Sequence, residues 1–151
     1  MDDLVVVSPD FGGVGRARSF AKRLDIPLVV VDKRRPKDNE SEVLNIIGDV
    51  EGKKVLILDE LIDTAGSLVK GANALVENGA TKVYACCTHA IMSKQATALI
   101  ADSPIEELVI LDTIPLPAEK LLPKIKILSV APLFAAIIRR IHEGDSISVL
   151  F

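Results

Sequence analysis

The sequence predicts an α/β domain with a doubly wound, mainly parallel sheet and helices on both faces. Three observations point there. Short aliphatic runs recur along the chain, among them Val5-Val6-Val7 and Val55-Leu56-Ile57-Leu58. Each run is followed by turn residues and then by apolar residues at helical spacing. The strand runs are continuously apolar rather than alternating, which is the pattern of strands covered on both sides. At 151 residues, the chain has the size of one domain, spanning 1–151.

The elements follow in order. Leu4–Ser8 reads as the first strand. Gly12–Leu24 reads as a helix, with Phe20, Ala21 and Leu24 on one face. Leu28–Val31 is a strand entered through Pro27. Asp32–Glu42, with Lys33, Arg34, Arg35, Pro36 and Lys37, has no periodicity and reads as a mobile basic loop. Leu44–Ile47 is a short strand before Gly48, and Lys54–Leu58 a strong one. Ser67–Asn78 is a helix closed by Gly79. Val83–Thr88 is a strand, and Ser93–Ala101 a helix with Ser93 as its cap. Leu108–Leu111 and Ile125–Leu128 are strands, Ala131–His142 is the last helix, and the tail Asp145–Phe151 reads as extended.

Composition excludes several classes. Hydrophobic residues make up 49% and charged residues 26%, and mean hydropathy is +0.36, too apolar for a disordered chain. Aromatics are 3% with no Trp, so the core must be aliphatic. No apolar run approaches the ~18–20 residues of a spanning helix. Met1-Asp2-Asp3 opens no signal-peptide pattern, and a cytoplasmic location is expected. A net charge of −3 gives no electrostatic reason to expect nucleic acid as a partner. Cys86 and Cys87 are adjacent inside a strand run, where successive side chains point to opposite faces. They read as reduced, buried thiols rather than a disulfide or metal pair.

Open α/β sheets bind ligands at the carboxyl ends of their strands, so the residues after each strand carry the functional reading. After Val55–Leu58 come Asp59-Glu60-Leu61-Ile62-Asp63-Thr64-Ala65-Gly66-Ser67 and then a helix. The carboxylates suit sugar hydroxyls or a divalent cation. The Asp63–Ser67 stretch offers hydroxyls, a glycine and backbone N–H groups at a helix start, a natural phosphate site. The plain alternative is an acidic loop with a capping hydroxyl. Asp10, before Gly12-Gly13, reads either as a ligand residue or as a cap. His89 follows a strand and could line the site, although a lone histidine is more often packed or hydrogen-bonded; His142, near a helix end, suits the dipole and is assigned no role.

The Asp59–Ser67 pattern resembles the phosphoribosyl-pyrophosphate (PRPP) loop of the type I phosphoribosyltransferase fold. The whole chain from Leu4 resembles the ribose-phosphate pyrophosphokinase (PRPP synthetase) family. That resemblance rests on Val5–Asp10 with Gly12-Gly13, Val31–Pro36, Asn45–Val50, the Asp59–Ser67 loop, Thr88-His89, Asp112–Leu116 and Ser146–Phe151. It implies transfer of the β,γ-pyrophosphoryl group of ATP to ribose 5-phosphate, giving PRPP and AMP. It implies that Asp59 and Glu60 meet the ribose hydroxyls, that Asp63, Thr64, Ala65, Gly66 and Ser67 surround the 5-phosphate, and that Asp10 helps hold Mg2+. Lys33 and Arg35 would close over the transferring phosphates as a catalytic flap. Ser146, Ser148 and Phe151 would belong to a regulatory phosphate site between subunits of a homo-oligomer. Three residues depart from the family's usual pattern: Glu60 for Asp, Ala65 for Gly and Ser67 for Thr.

Family members are about twice this length, and the chain matches only their second domain, without most of the ATP pocket. Weak or absent turnover by the isolated chain is therefore expected. A PRPP-consuming phosphoribosyltransferase and a non-catalytic regulatory partner of a PRPP synthetase are the alternatives.

Overall fold

The computed structural model describes residues 3–34 and 43–151. Along the chain the elements are β1 (Leu4–Ser8), α1 (Val14–Leu24), β2 (Leu28–Arg34), β3 (Val43–Ile47), β4 (Lys54–Ile62), α2 (Gly66–Glu77), β5 (Lys82–Ala90), α3 (Ala96–Ala101), β6 (Ile105–Leu111), β7 (Ile125–Leu128) and α4 (Ala131–Glu143). Short 3-10 turns occupy Ala118–Lys120 and Ser148–Leu150. The strands form one sheet in the order β3-β2-β1-β4-β5-β6-β7. Only β3 runs antiparallel to its neighbour among these pairs. The doubly wound, mainly parallel fold expected from the sequence is the fold observed.

Burial explains the central position of β1. Val5, Val6 and Val7 are all shielded from water, so both faces of the strand need cover. Val6 packs with Ala17 and Ala21 of α1 on one face. Val5 and Val7 join Val55, Ile57, Leu68, Leu75 and Ile100 in the larger core on the other. Right-handed crossovers require this division. The chain moves toward one edge through α1 and toward the opposite edge through α2 and α3, so their helices fall on opposite faces.

That topology leaves the α1 face bare over β4–β6. Leu56, Leu58, Tyr84, Cys86 and Val109 are only half-buried there. Some of them line an apolar groove of about 380 Å³ that also includes Phe20 and Leu128. The last helix does not fill it: α4 buries none of its residues, and Phe134 and Ile138 are 56% and 65% exposed.

Several expected boundaries move. Asp32–Arg34, read as the start of a loop, continue β2 in antiparallel pairing with β3, Asp32 opposite Asn45 and Lys33 opposite Leu44. Ladder pairing overrides the polar composition, and the rest of the basic run, 35–42, lies outside the described residues. β4 runs past Leu58 to Ile62 because β5 supplies a partner as far as Ala90. Asp59 and Glu60 therefore sit on strand backbone rather than after it. α1 starts at Val14, since Gly12 and Gly13 form the preceding turn. α3 starts at Ala96, so Ser93 is not its cap. The tail is not extended throughout: the Ser146 hydroxyl accepts the Ser148 N–H at 3.2 Å, and Ser148–Leu150 turns as a 3-10 helix. Phe151 is 64% exposed and is no core residue.

Leu75 is fully shielded, so Leu75→Ala should cost about 2–5 kcal/mol in a denaturant melt. The paired change Phe134→Ser, Ile138→Ser should shift stability by no more than about 1 kcal/mol. It should also lower binding of the apolar dye ANS by the folded chain, because it removes exposed apolar surface.

Candidate functional site

Strand order reverses at β1: the chain goes one way to β2 and the other way to β4. The crevice beyond the carboxyl ends of β1 and β4 is the switch point where such sheets hold ligands. Two of the sequence-predicted groups converge there. Asp10 follows β1, and Asp59–Ser67 ends β4 and opens α2.

The β1 side is built around a tight turn. Ser8 is buried and donates its hydroxyl to the Asp10 carbonyl at 2.7 Å. One Asp10 carboxylate oxygen accepts the Gly13 N–H at 2.9 Å. A Cβ on Gly13 would lie 2.9 Å from the Ser8 hydroxyl, so a side chain there would displace Ser8 and its bond to the Asp10 carbonyl. Asp10 thus orders its own turn and remains exposed at the crevice.

On the β4 side, Asp59 accepts the Glu60 N–H through its carboxylate at 2.8 Å. Glu60 makes an ion pair with Arg16 of α1 at 3.0 Å. Arg16 was not singled out in the sequence. The switch-point topology is the signal that finds it, because it sets the first turn of α1 beside the end of β4. Both side chains are more than half exposed, so the pair contributes little to stability; it bridges the two sides of the crevice.

Asp59, Asp63, Thr64, Ala65, Gly66 and Ser67 line a pocket of about 180 Å³ with Leu61, Ile62 and Leu68. The first backbone bond of α2 runs from the Val69 N–H to the Ala65 carbonyl. The N–H groups of Gly66, Ser67 and Leu68 thus precede the helical ladder, and no side chain caps this end. Orphan donors and the helix dipole together favour an anion. Ala65, buried, holds φ +62, a left-handed conformation that is strained for any residue with a Cβ. A neighbouring turn carries the same strain at Met92 (φ +54) and Lys94 (φ +52). It is stitched to the pocket loop: the Ile91 N–H donates to the Ile62 carbonyl at 2.9 Å and the Ser93 N–H to the Asp63 carbonyl at 2.8 Å. The Lys120 ammonium donates to the Met92 carbonyl at 2.8 Å.

Lys33 lies on the β2–β3 ribbon. The last β1–β2 pair is Ser8 with Val30, so Lys33 sits three residues further on, about 10 Å past the end of β1 at strand rise. Arg35 lies outside the described residues. The tail is not at the crevice. Arg23, in the last turn of α1, donates to the Phe151 carbonyl at 2.5 Å, and α1 runs from the carboxyl to the amino edge of the sheet. Ser146, Ser148 and the Arg140 guanidinium, which donates to the Ser146 carbonyl at 3.1 Å, gather around that tail.

Of the two thiols expected to be buried, Cys87 is, whereas Cys86 is half-buried because its face of β5 carries no helix. Both are unpaired. Burial, reinforced by the charge of Asp59, pushes Cys86 up to about 11 and Cys87 up to about 12.

The chain's relatives can now be set beside this geometry. The family described as the phosphoribosyl synthetase-associated domain matches residues 33–151. A ribose-phosphate pyrophosphokinase of Caldanaerobacter subterraneus subsp. tengcongensis is 61% identical over 150 residues, 99% of this chain and 48% of that protein. One from Bacillus subtilis (strain 168) is 53% identical over 151 residues, 100% of this chain and 48% of that protein. The chain thus spans about half the length of the curated relatives it matches. The crystal structure of phosphoribosylpyrophosphate synthetase from Mycobacterium smegmatis superposes with a TM-score of 0.87 at 36% identity, over 94% of this chain and 46% of that one. A purine phosphoribosyltransferase from Pyrococcus horikoshii Ot3 shares the fold, with a TM-score of 0.50 at 22% identity over 84% of this chain and 69% of that one.

Two outcomes follow for the loop and the thiols. Ala65→Val should lower stability by more than about 1 kcal/mol in a thermal or denaturant melt, since a β-branched side chain fits a left-handed residue worst. Ala65→Gly should not. Iodoacetamide should label Cys86 and Cys87 slowly at pH 7, and the rate should rise as the pH climbs toward 11, because the thiolate is the reactive form.

Proposed function

The chain belongs to the phosphoribosyl synthetase-associated domain family, and from that membership we propose that it is the ribose-5-phosphate-binding half of a ribose-phosphate pyrophosphokinase. Such an enzyme moves the β,γ-pyrophosphoryl group of ATP onto the anomeric hydroxyl of ribose 5-phosphate, releasing AMP and leaving PRPP for nucleotide biosynthesis. The observation that carries the reading is the pocket at the start of α2, with carboxylates at one end and helix N–H donors at the other.

The 5-phosphate takes the N–H groups of Gly66, Ser67 and Leu68 and the hydroxyls of Thr64 and Ser67, donors matched to an acceptor-only dianion. Asp59 accepts from the ribose hydroxyls. Glu60, one methylene longer than the usual Asp, divides itself between the sugar and Arg16, which it already holds at 3.0 Å. Asp63 closes the pocket between them. Lys33, carried past the end of β1 on the ribbon, and Arg35 bring positive charge to the transferring phosphates, the main demand of phosphoryl transfer.

Mg2+ fits the site through Asp10. Its carboxylate stands exposed at the crevice, where one oxygen accepts the Gly13 N–H. No cluster of three or more acidic, His or Cys side chains among the described residues forms a complete cage. That suits an ion which keeps several waters and leans on substrate phosphates. When bound, the ion supplies charge to those phosphates.

The proposed partners are ribose 5-phosphate, PRPP, ATP and further copies of the chain in a homo-oligomer, with no nucleic acid and no membrane. No helix among the described residues is long and apolar enough to cross a bilayer. A cytoplasmic setting suits the two protonated thiols. Ser146, Ser148 and Phe151 would form a phosphate-responsive regulatory site, remote from the pocket.

Calorimetry should give ribose 5-phosphate binding to the purified chain, little binding of ribose, and ATP binding weaker than that of ribose 5-phosphate. Ser67→Ala should weaken ribose 5-phosphate by roughly ten- to hundredfold, the value of one hydrogen bond to a charged group. Asp59→Asn should weaken it comparably. Binding of ATP without any binding of ribose 5-phosphate would sink the reading. AMP release from ATP plus ribose 5-phosphate by the chain alone should stay near background.

A further inference from the structure

The Thr113 hydroxyl lies between two groups. Its oxygen is 2.5 Å from the Thr88 carbonyl oxygen and 2.9 Å from Nδ1 of His89. A carbonyl has no proton to give, so the single hydroxyl proton of Thr113 points at Thr88. Toward His89 the hydroxyl then presents only a lone pair. A lone pair facing an unprotonated ring nitrogen at 2.9 Å would be repulsive, so Nδ1 must carry a proton.

We infer that Thr113 holds neutral His89 in its Nδ1–H tautomer and so leaves Nε2 as an unprotonated hydrogen-bond acceptor at the carboxyl edge of the sheet. In water a free imidazole favours the opposite tautomer, and the hydrogen bond made by one ring nitrogen decides the state of the other. The placement gives the acceptor a use. His89 is the register partner of Leu61, which lines the α2 pocket, and the turn after His89 is bonded to Ile62 and Asp63. Resting here on the function proposed above, Nε2 accepts from a hydroxyl of the sugar phosphate. Thr113 is then a positioning residue, acting through the ring and not on the ligand.

The test is nitrogen-15 NMR of the histidine rings at a pH above their titration. The chain has two histidines, and His142→Gln leaves the His89 pattern alone. The wild-type chain should show the Nδ1–H pattern. Thr113→Val should shift it toward Nε2–H, and Thr113→Ser, which keeps the hydroxyl, should restore it. An Nε2–H pattern in the wild-type chain overturns the inference outright and needs no variant to fold. An unchanged Nδ1–H pattern in a folded Thr113→Val chain removes Thr113 from it. Ribose 5-phosphate should then move the Nε2 resonance along with the Gly66 and Ser67 amides. If the amides move and Nε2 does not, the ligand contact of His89 is wrong and the proposed function stands. If neither moves, the proposed function fails, while the tautomer is still decided by the spectrum of the chain without ligand.

Discussion

The chemically useful groups of this chain depend on one constraint, the parallel pairing of β1 with β2 on one side and β4 on the other. Parallel strands end together, so their carboxyl termini deliver loops to the same edge. A register slip of one residue would turn Val5 and Val7 out of the large core and Val6 into it. Burial on both faces forbids that, and the fixed register sets Asp10 opposite the Asp59–Ser67 loop. The Arg16–Glu60 ion pair marks where the two sides meet, but the valines put them there.

The pocket at this edge is built on backbone held in disfavoured conformations. Ala65, Met92 and Lys94 all have positive φ, and Met92 is fully shielded from solvent. Such residues persist only when their surroundings over-determine them. Here the surroundings are identifiable: the Ile91 and Ser93 N–H groups bonded to the loop, and the Lys120 ammonium on the Met92 carbonyl. Two loops from adjacent strands are thereby fastened as one unit, and a small pocket can keep its shape without a ligand.

Much of this was legible in the residues. β1 and β7 begin and end where the sequence places them: Val5, Val6 and Val7 form an unbroken aliphatic run, and Ile125, Ile127 and Leu128 mark the last strand despite Lys126. The grouping of the acid-and-hydroxyl loop was legible because its residues are neighbours in sequence and line one pocket. Less was legible where partners override composition. Asp32 and Lys33 have no strand character alone, yet they pair with Asn45 and Leu44. Asp59 and Glu60 are acids on strand backbone because β5 continues alongside. Ser146 and Ser148 turn a tail that alternates like a strand. The contacts of Arg16 and Thr113 were invisible for a different reason: their partners are distant in sequence, and only the topology brings them to Glu60 and His89.

The central pairing also sets an order of events in time. β1 can find β2 after α1 is made, some twenty residues later, and the β2–β3 ribbon closes locally. Its other flank must wait for β4, some fifty residues downstream of it, as Leu4 pairs with Lys54. Contacts of long sequence separation form late. During synthesis, β1 therefore stands for a while with one unsatisfied edge of backbone donors and acceptors, an edge that another strand could occupy. The same strand that organises the finished molecule is its point of greatest exposure to misassembly while the chain is still emerging.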